Sequence, residues 1–130
     1  MVRASLGEAR YLVNIAAAGH VLAGDEPVAN GGAGAGPAPF DLVLSGLAAC
    51  TLITLRMYGE RKAWSPLAIT VELHHRMQGG RHLIDRRVEV AGAPDAAGLE
   101  RLRDIVERTP VTLALKAGFA ISTLLDPVPA

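Results

Sequence analysis

The stretch "LVLSGLAACTLITL", residues 42–55, decides the fold, because it carries no charge between Asp41 and Arg56. It is too short for a membrane-spanning helix, which needs roughly 20 apolar residues, so we interpret it as a buried helix. No proline interrupts the chain from here to Lys62, and Pro39 has the fixed φ that suits a first helical turn. The sequence therefore predicts a helix from about Pro39 to Lys62, roughly 36 Å long.

The first two thirds of this predicted helix are apolar around the whole circumference. Such a helix must be enclosed on every side. One domain of 130 residues can hardly enclose it. We therefore expect a homodimer in which a second subunit covers part of the helix.

The segments around this helix predict a mixture of strands and further helices. Alternating apolar and polar residues indicate strands, and amphipathic runs indicate helices. The turn "QGGR", residues 78–81, joins two of the strands. Strands are expected at residues 9–15, 20–27, 67–77, 82–92 and 119–125, and helices at residues 94–109 and 110–118. The chain is therefore expected to be a single α+β domain, residues 1–130, with mainly antiparallel pairing.

Composition excludes several classes of function. Thirteen basic and thirteen acidic side chains cancel, which removes the electrostatic basis for nucleic-acid binding. The N-terminus lacks the apolar run of a signal peptide, and one cysteine cannot form an internal disulfide. We expect a cytoplasmic protein that binds neither nucleic acid nor membrane.

The Gly-rich and Pro-rich stretch at residues 28–39 is interpreted as a loop, because its spacing fits neither a dinucleotide nor a P-loop motif. The adjacent His74 and His75 point to opposite faces of a strand and cannot chelate one ion together. The sequence therefore predicts neither a cofactor nor a metal.

Cys50 is the only cysteine, and its position supports two interpretations. It could pack as a small hydrophobe, as buried cysteines usually do. It could also act as a thiolate, which needs nearby positive charge or a helix N-terminus. Its own helix supplies neither at mid-helix, so an activating group would have to come from another segment or subunit.

Arg86 is anomalous, because it falls on the inward-facing parity of its predicted strand with Ile84 and Val88. Its guanidinium either reaches water at a strand end, which we favour, or pairs with an anionic group.

As a whole, residues 24–64 and 101–125 resemble the OsmC/Ohr family of osmotically induced and organic-hydroperoxide-resistance proteins. The resemblance rests on the Gly-Pro-rich loop, the "ACT" helix, "RMYGERK" and "TPVTLALKAG". It implies an OsmC-like fold, an antiparallel sheet with a long central helix in an intertwined homodimer. It also implies a peroxiredoxin-like role in the oxidative stress response, the reduction of organic hydroperoxides through cysteine.

Carried over to this chain, the resemblance makes Cys50 the peroxidatic cysteine. The resolving position holds Thr109, so an internal two-cysteine cycle is excluded. The glutamate position holds Phe40, and the neighbouring Asp41, nine residues before Cys50, would face away from it on an unbroken helix. Asp41 is therefore a weak catalytic candidate that fits better as a partner of the helix dipole. Arg10 and Arg86 are candidates for the family arginine by location only.

Two interpretations of function remain open. In the first, the protein is a one-cysteine peroxidase that reduces a small organic hydroperoxide, and an external thiol reductant resolves the oxidised cysteine. In the second, it is a non-catalytic OsmC-like dimer that binds a small apolar molecule, with Cys50 as packing.

Overall fold

The computed structural model describes residues 1–64, 66–92 and 95–129. Its eight regular elements are, in chain order, β1 (Val2–Leu6), β2 (Val13–Ala17), β3 (His20–Gly24), α1 (Pro39–Arg61), β4 (Ala68–Gln78), β5 (Arg81–Ala91), α2 (Ala96–Val106) and α3 (Pro110–Ala117). A single 3₁₀ turn, Val28–Asn30, lies in the loop before α1. The class is α+β, as the sequence predicts.

The strands form two separate antiparallel units. β1, β2 and β3 make a three-stranded sheet with β2 in the middle, while β4 and β5 form a long hairpin. Gly79 and Gly80 have φ of 57° and 76° and close this hairpin, a left-handed pair that glycine adopts without steric cost. The turn predicted at residues 78–81 is confirmed.

Helix α1 begins and ends within one residue of the prediction. Pro39 occupies its first turn, and the carboxylate of Asp41 accepts a hydrogen bond from the backbone N–H of Ala38 at 3.1 Å. This is the dipole-partner position expected for Asp41. The helix stops at Lys62, and Ala63 turns the chain with φ of 54°.

One stripe of α1 packs against the rest of the protomer. Buried residues recur every four positions, as expected for one helical face, and they are Leu47, Thr51, Leu55 and Gly59. The core is a cluster of Leu55, Leu67 and Leu102. A Cβ on Gly59 would lie 2.8 Å from the Leu67 side chain, so the glycine lets the helix approach the start of β4 closely.

The remaining faces of α1 are open within one protomer, which by itself does not enclose the helix on every side. Val43, Ile53 and Met57 are 42%, 53% and 52% exposed. By length and composition alone, the full 23-residue helix α1, unlike the charge-free run within it, could also cross a membrane, with a mean hydropathy of 1.5 over eighteen residues. Core helices of soluble proteins meet the same criterion.

Several predicted boundaries differ from the structure. Residues 119–125, all described, form no strand, so that prediction is wrong for the protomer. Their apolar side chains are largely exposed in the part of the chain that the structure describes, and Ile121 is 85% exposed. Strand β1 was not predicted, and β2 begins two residues after Tyr11.

Helix α2 is shorter than predicted, and Pro94, its predicted first residue, lies outside the described residues. The side chain of Asp95 caps the helix by accepting a hydrogen bond from Gly98 N at 2.7 Å. The helix ends at Val106, because Thr109 three residues later already caps α3.

Candidate functional site

The thiol of Cys50 lies halfway along α1, where it faces the start of α3. Its Sγ accepts a hydrogen bond from the backbone N–H of Val111 at 3.4 Å, across 61 residues of sequence. Thr54, one turn further along α1, places its hydroxyl 3.9 Å from the same sulfur. Cys50 is half-buried, so solvent and a small reagent can still reach it.

The sequence "TPVT", residues 109–112, explains why α3 begins beside this thiol. Thr109 caps the helix by accepting a hydrogen bond from Thr112 N at 3.3 Å, and Pro110 follows at the first helical position. The N–H of Val111 is one of the orphan donors of the first turn. It is therefore free to donate to sulfur, and the positive end of the helix dipole faces the thiol.

Arg86 approaches the same region from β5. Its Nη1 donates to the hydroxyls of Thr51 at 3.0 Å and Thr112 at 2.9 Å, and its Nη2 donates to Val106 O at 2.8 Å. The side chain is only 11% exposed. The favoured expectation that this guanidinium reaches water at a strand end is therefore wrong. Arg86 lies mid-strand, and buried polar groups bind it in place of water.

The acid nearest to Arg86 is Glu107, but their closest charged atoms are 4.0 Å apart. Glu107 is 60% exposed and forms a closer pair, 2.7 Å, with Lys116. The hydrogen bond from Lys116 lowers the pKa of Glu107. The positive charge of Arg86 is therefore only weakly compensated, and it remains available to the thiol.

Four groups together lower the pKa of Cys50 below that of a free thiol. Burial opposes ionisation and raises the pKa, and it is the largest single influence. The hydrogen bond from the Val111 amide, the nearby hydroxyls of Thr109 and Thr54, and the positive charge of Arg86 together outweigh it. Of these groups, Val111 and Thr109 belong to the start of α3 and Arg86 to β5, and only Thr54 lies on the helix of Cys50.

The hydroxyls of Thr51, Thr109 and Thr112 form a polar cluster between Arg86 and Cys50. All three residues are less than 5% exposed, and Thr109 Oγ1 lies 2.6 Å from Thr112 Oγ1. Sequence reasoning treated Thr109 only as a lost cysteine and missed the other two threonines. The available signal was the N-cap pattern of "TPVT", which predicts an inward-facing threonine hydroxyl.

The other candidates from the sequence lie elsewhere. Asp41 binds the Ala38 amide about 13 Å along α1 from Cys50. The guanidinium of Arg10 stacks on the ring of Tyr11, 4.7 Å from its centroid, and adjoins Gly31. Of the two arginine candidates, Arg86 is the one whose charge acts on the thiol.

Phe40, at the position of the family glutamate, stacks on the imidazole of His75 at 4.0 Å between centroids. His75 Nε2 and His82 Nδ1 are 2.8 Å apart. This pair could supply two ligands to a metal ion. Among the described residues, no group of three His, Cys, Asp or Glu side chains is placed to hold one.

A carboxylate that sequence reasoning missed orders the Gly-rich loop. Asp25 accepts hydrogen bonds from the backbone N–H groups of Glu26 at 2.7 Å, Ala33 at 3.3 Å and Ala35 at 3.1 Å. These bonds, that from Ala35 foremost, lower its pKa. The loop is therefore a fixed connection that leads the chain to the start of α1.

A groove of about 690 Å³ lies beside the threonine cluster, between the β4–β5 hairpin and α3. Its walls combine aliphatic side chains with basic ones and one carboxylate, among them Leu47, Leu115, Arg81, Arg86, Lys116 and Glu107. A small molecule with an apolar body and a polar or anionic end matches these walls.

Comparisons with known proteins agree with this architecture. The family model described as OsmC-like protein matches residues 31–123. Since this is most of the chain, the protein belongs to the OsmC-like family. The resemblance seen in the sequence is confirmed. A search of curated proteins gives no significant match.

Solved structures of the same family share the fold at low sequence identity. An osmotic stress induced and detoxification response protein from Psychrobacter arcticus has a TM-score of 0.71 at 15% identity, covering 86% of this chain and 85% of that one. An OsmC-like protein from Mycoplasma pneumoniae has a TM-score of 0.69 at 22% identity, covering 89% of this chain and 86% of that one. The organic hydroperoxide resistance protein OsmC from Legionella pneumophila has a TM-score of 0.64 at 19% identity, covering 89% of this chain and 88% of that one.

Proposed function

We propose that the protein is a one-cysteine thiol peroxidase that reduces small organic hydroperoxides. The observation that carries the proposal is the Val111 amide directed at the Cys50 sulfur at 3.4 Å, with the Arg86 guanidinium bound to the neighbouring Thr51 and Thr112. A cysteine that served only as packing would need neither. The thiolate is the nucleophilic form of cysteine, and this arrangement favours it.

In the first step the Cys50 thiolate attacks one peroxide oxygen. The S–O bond forms as the O–O bond breaks, and the departing alkoxide takes a proton to become an alcohol. Cys50 is then a sulfenic acid, and the hydroperoxide has been reduced by two electrons. Before the attack, the Val111 N–H is directed at the reacting sulfur.

The second step requires a thiol from outside the chain, because Cys50 is the only cysteine. An external thiol condenses with the sulfenic acid, releases water and leaves a mixed disulfide. A second thiol attacks that disulfide, regenerates Cys50 and carries away the oxidised reductant. A reducing cytoplasmic compartment would supply such thiols.

The experiment measures consumption of cumene hydroperoxide with dithiothreitol as reductant, for the wild type and for Cys50→Ser. We expect turnover by the wild type only, together with a dimedone adduct on Cys50 when reductant is omitted. Hydrogen peroxide as an alternative substrate tests the preference for organic hydroperoxides. Absence of both Cys50-dependent turnover and the dimedone adduct would refute the proposal.

The alternative function, a dimer that binds a small apolar molecule, is supported by a second groove. This groove, of about 660 Å³, lies between the N-terminal sheet and the start of α1, and its lining includes Leu6, Val13, Ile15, Pro39 and Leu42. Mass spectrometry of the native protein would detect a retained ligand. A ligand retained equally by Cys50→Ser, without turnover, would favour this function.

We also propose that the protein is an intertwined homodimer. The support is the open apolar face of α1, on which Ile53 and Met57 are half exposed, and the exposed apolar residues after α3, which include Phe119, Ile121, Leu124 and Leu125. Light scattering at micromolar concentration should give twice the chain mass, whereas a monomer would contradict the proposal.

A further inference from the structure

We propose that Thr109, at the position where the family carries a resolving cysteine, donates a hydrogen bond to the Cys50 thiolate and is oriented for this by Thr112 and Arg86. This inference rests on the proposed function, since it assigns a catalytic part to a residue that the loss of the second thiol would otherwise leave without one. The residue at this position would stabilise the thiolate electrostatically, where the family's resolving cysteine forms a disulfide.

The first argument is the placement of Thr109. It caps α3, and the N–H of Val111, two residues later, is bonded to the Cys50 sulfur at 3.4 Å. The side chain is completely buried. Its hydroxyl is therefore shielded from competing water at the start of α3, two residues from the amide that contacts the thiol.

The second argument is the direction of the hydrogen bonds. Thr112 Oγ1 accepts from Arg86 Nη1 at 2.9 Å, and a guanidinium can only donate. Thr112 Oγ1 and Thr109 Oγ1 are 2.6 Å apart. If Thr112 donates across this contact, then Thr109 accepts, and its own proton is left for the sulfur.

The opposite direction leaves the cluster less well satisfied. Thr109 already accepts from the backbone N–H of Thr112 at 3.3 Å. If Thr109 instead donated its hydrogen bond to Thr112 Oγ1, the Thr112 hydroxyl would need another acceptor. The thiolate would then lose the Thr109 hydroxyl as a donor. The series of hydrogen bonds from Arg86 through Thr112 and Thr109 to Cys50 gives both threonine hydroxyl protons an acceptor. Its last acceptor is the thiolate.

Charge strengthens this series of hydrogen bonds. A donor polarised by a cation through one intervening hydroxyl binds an anion more tightly than an isolated hydroxyl does. The Thr109 hydroxyl also acts in the required direction on the pKa of Cys50, which it lowers. Thr109 thus extends the influence of Arg86 to a sulfur that the guanidinium does not touch.

The test measures the rate of iodoacetamide alkylation of the folded protein against pH, which reports the ionisation of its single cysteine. Thr109→Val should move the midpoint of this profile to higher pH. Because a hydrogen bond to a charged group is involved, we expect the thiolate fraction below the midpoint to fall about tenfold. Thr109→Ser keeps the hydroxyl and should keep the wild-type midpoint.

Two further variants separate this role from helix capping. Thr112→Val retains the Thr112 N–H that Thr109 caps, but it cuts the link to Arg86, so it should also raise the midpoint. Thr54→Val removes the other hydroxyl near the sulfur, at 3.9 Å, and should have a smaller effect. A wild-type midpoint in Thr112→Val, or equal shifts in Thr109→Val and Thr109→Ser, would overturn the inference.

Alkylation involves no peroxide, so the result is distinct from that of the activity assay. Raised midpoints without wild-type peroxide turnover would refute the proposed function and leave the role of Thr109 in ionisation intact. Peroxide turnover by the wild type, together with unchanged midpoints in the threonine variants, would support the proposed function and refute the role of Thr109.

Discussion

The guanidinium of Arg86 and the hydroxyl of Thr51 lie 3.0 Å apart, although 35 residues separate them in the sequence. The hydroxyl of Thr51 donates a hydrogen bond to Leu47 O at 2.7 Å within α1. Through Thr51 and Val106 O, one arginine side chain joins the long helix to the C-terminal end of α2. The group that influences Cys50 is thus also a structural link between elements.

Replacing Arg86 by Met should therefore lower stability as well as thiol acidity. Two hydroxyls and the Val106 carbonyl would lose their donor in a buried site, which we expect to cost about 2–4 kcal/mol. Urea unfolding measures this loss. Arg87→Met is the matched control, because Arg87 is 76% exposed on the opposite face, and it should change stability by less than about 0.5 kcal/mol. Equal losses in both variants would contradict the structural role of Arg86.

The Gly-rich loop should not tolerate a side chain at Gly32. A Cβ there would lie 1.9 Å from Glu26 O, so the backbone would have to move, and we expect Gly32→Ala to cost about 3 kcal/mol. Gly34→Ala is the control. It has open space but φ of 65°, which should cost about 1 kcal/mol. Chemical denaturation of both variants compares them, and a smaller loss for Gly32→Ala would show that the loop adjusts freely.

Asp25 should make the stability of the chain depend on pH in the acid range. Its folded pKa is lowered by backbone N–H groups, so the carboxylate stabilises the fold above the unfolded value of about 3.9. This contribution is lost as the pH falls through the folded pKa. Asp25→Asn should therefore be less stable than the wild type at neutral pH, and the difference should shrink in acid.

Unfolding measured between neutral and strongly acidic pH tests this expectation. Glu8→Gln removes an exposed carboxylate from the β1–β2 connection and serves as the control. A stability difference between Asp25→Asn and the wild type that stayed constant over the pH range would contradict the assignment.

The open face of α1 should be sensitive to charge if a second copy covers it. Ile53→Glu places a carboxylate where the side chain is 53% exposed in one protomer, so it should leave the protomer folded but weaken dimerisation by 100-fold or more, about 3 kcal/mol. Sedimentation equilibrium measures the shift. Arg103→Glu, on the exposed side of α2, should leave the dimer intact. Dimerisation that is unchanged in Ile53→Glu would place the interface elsewhere.

The sequence predicted the elements whose signals are local. The start of α1 follows from Pro39 and a charge-free apolar run, and the β4–β5 turn follows from Gly79 and Gly80. Residues 119–125 have the alternation of a strand, but a strand also needs a neighbour, which this chain does not provide in the described structure. The alternation of apolar and polar residues in a segment does not show whether a neighbouring strand is present to pair with it.

The candidate site was predictable only in part for a similar reason. Cys50 stood out as the single cysteine, and Arg86 stood out as a charge on an apolar parity. Their connection runs through Thr112 and Thr109, and the "TPVT" pattern predicts a helix cap there but not which distant side chains the hydroxyls contact. The direction of the Arg86 side chain depends on where α2 ends and α3 begins, which is a property of tertiary packing.

The sequence distance between Cys50 and the groups that act on it has a consequence for synthesis of the chain. The Val111 amide follows Cys50 by 61 residues, so it leaves the ribosome well after the cysteine does. Until α3 folds back onto α1, the nascent chain carries an ordinary thiol with low reactivity at neutral pH. Under the proposed function, the groups that favour the thiolate come together only when folding is complete, so the unfinished chain would not yet react with peroxides.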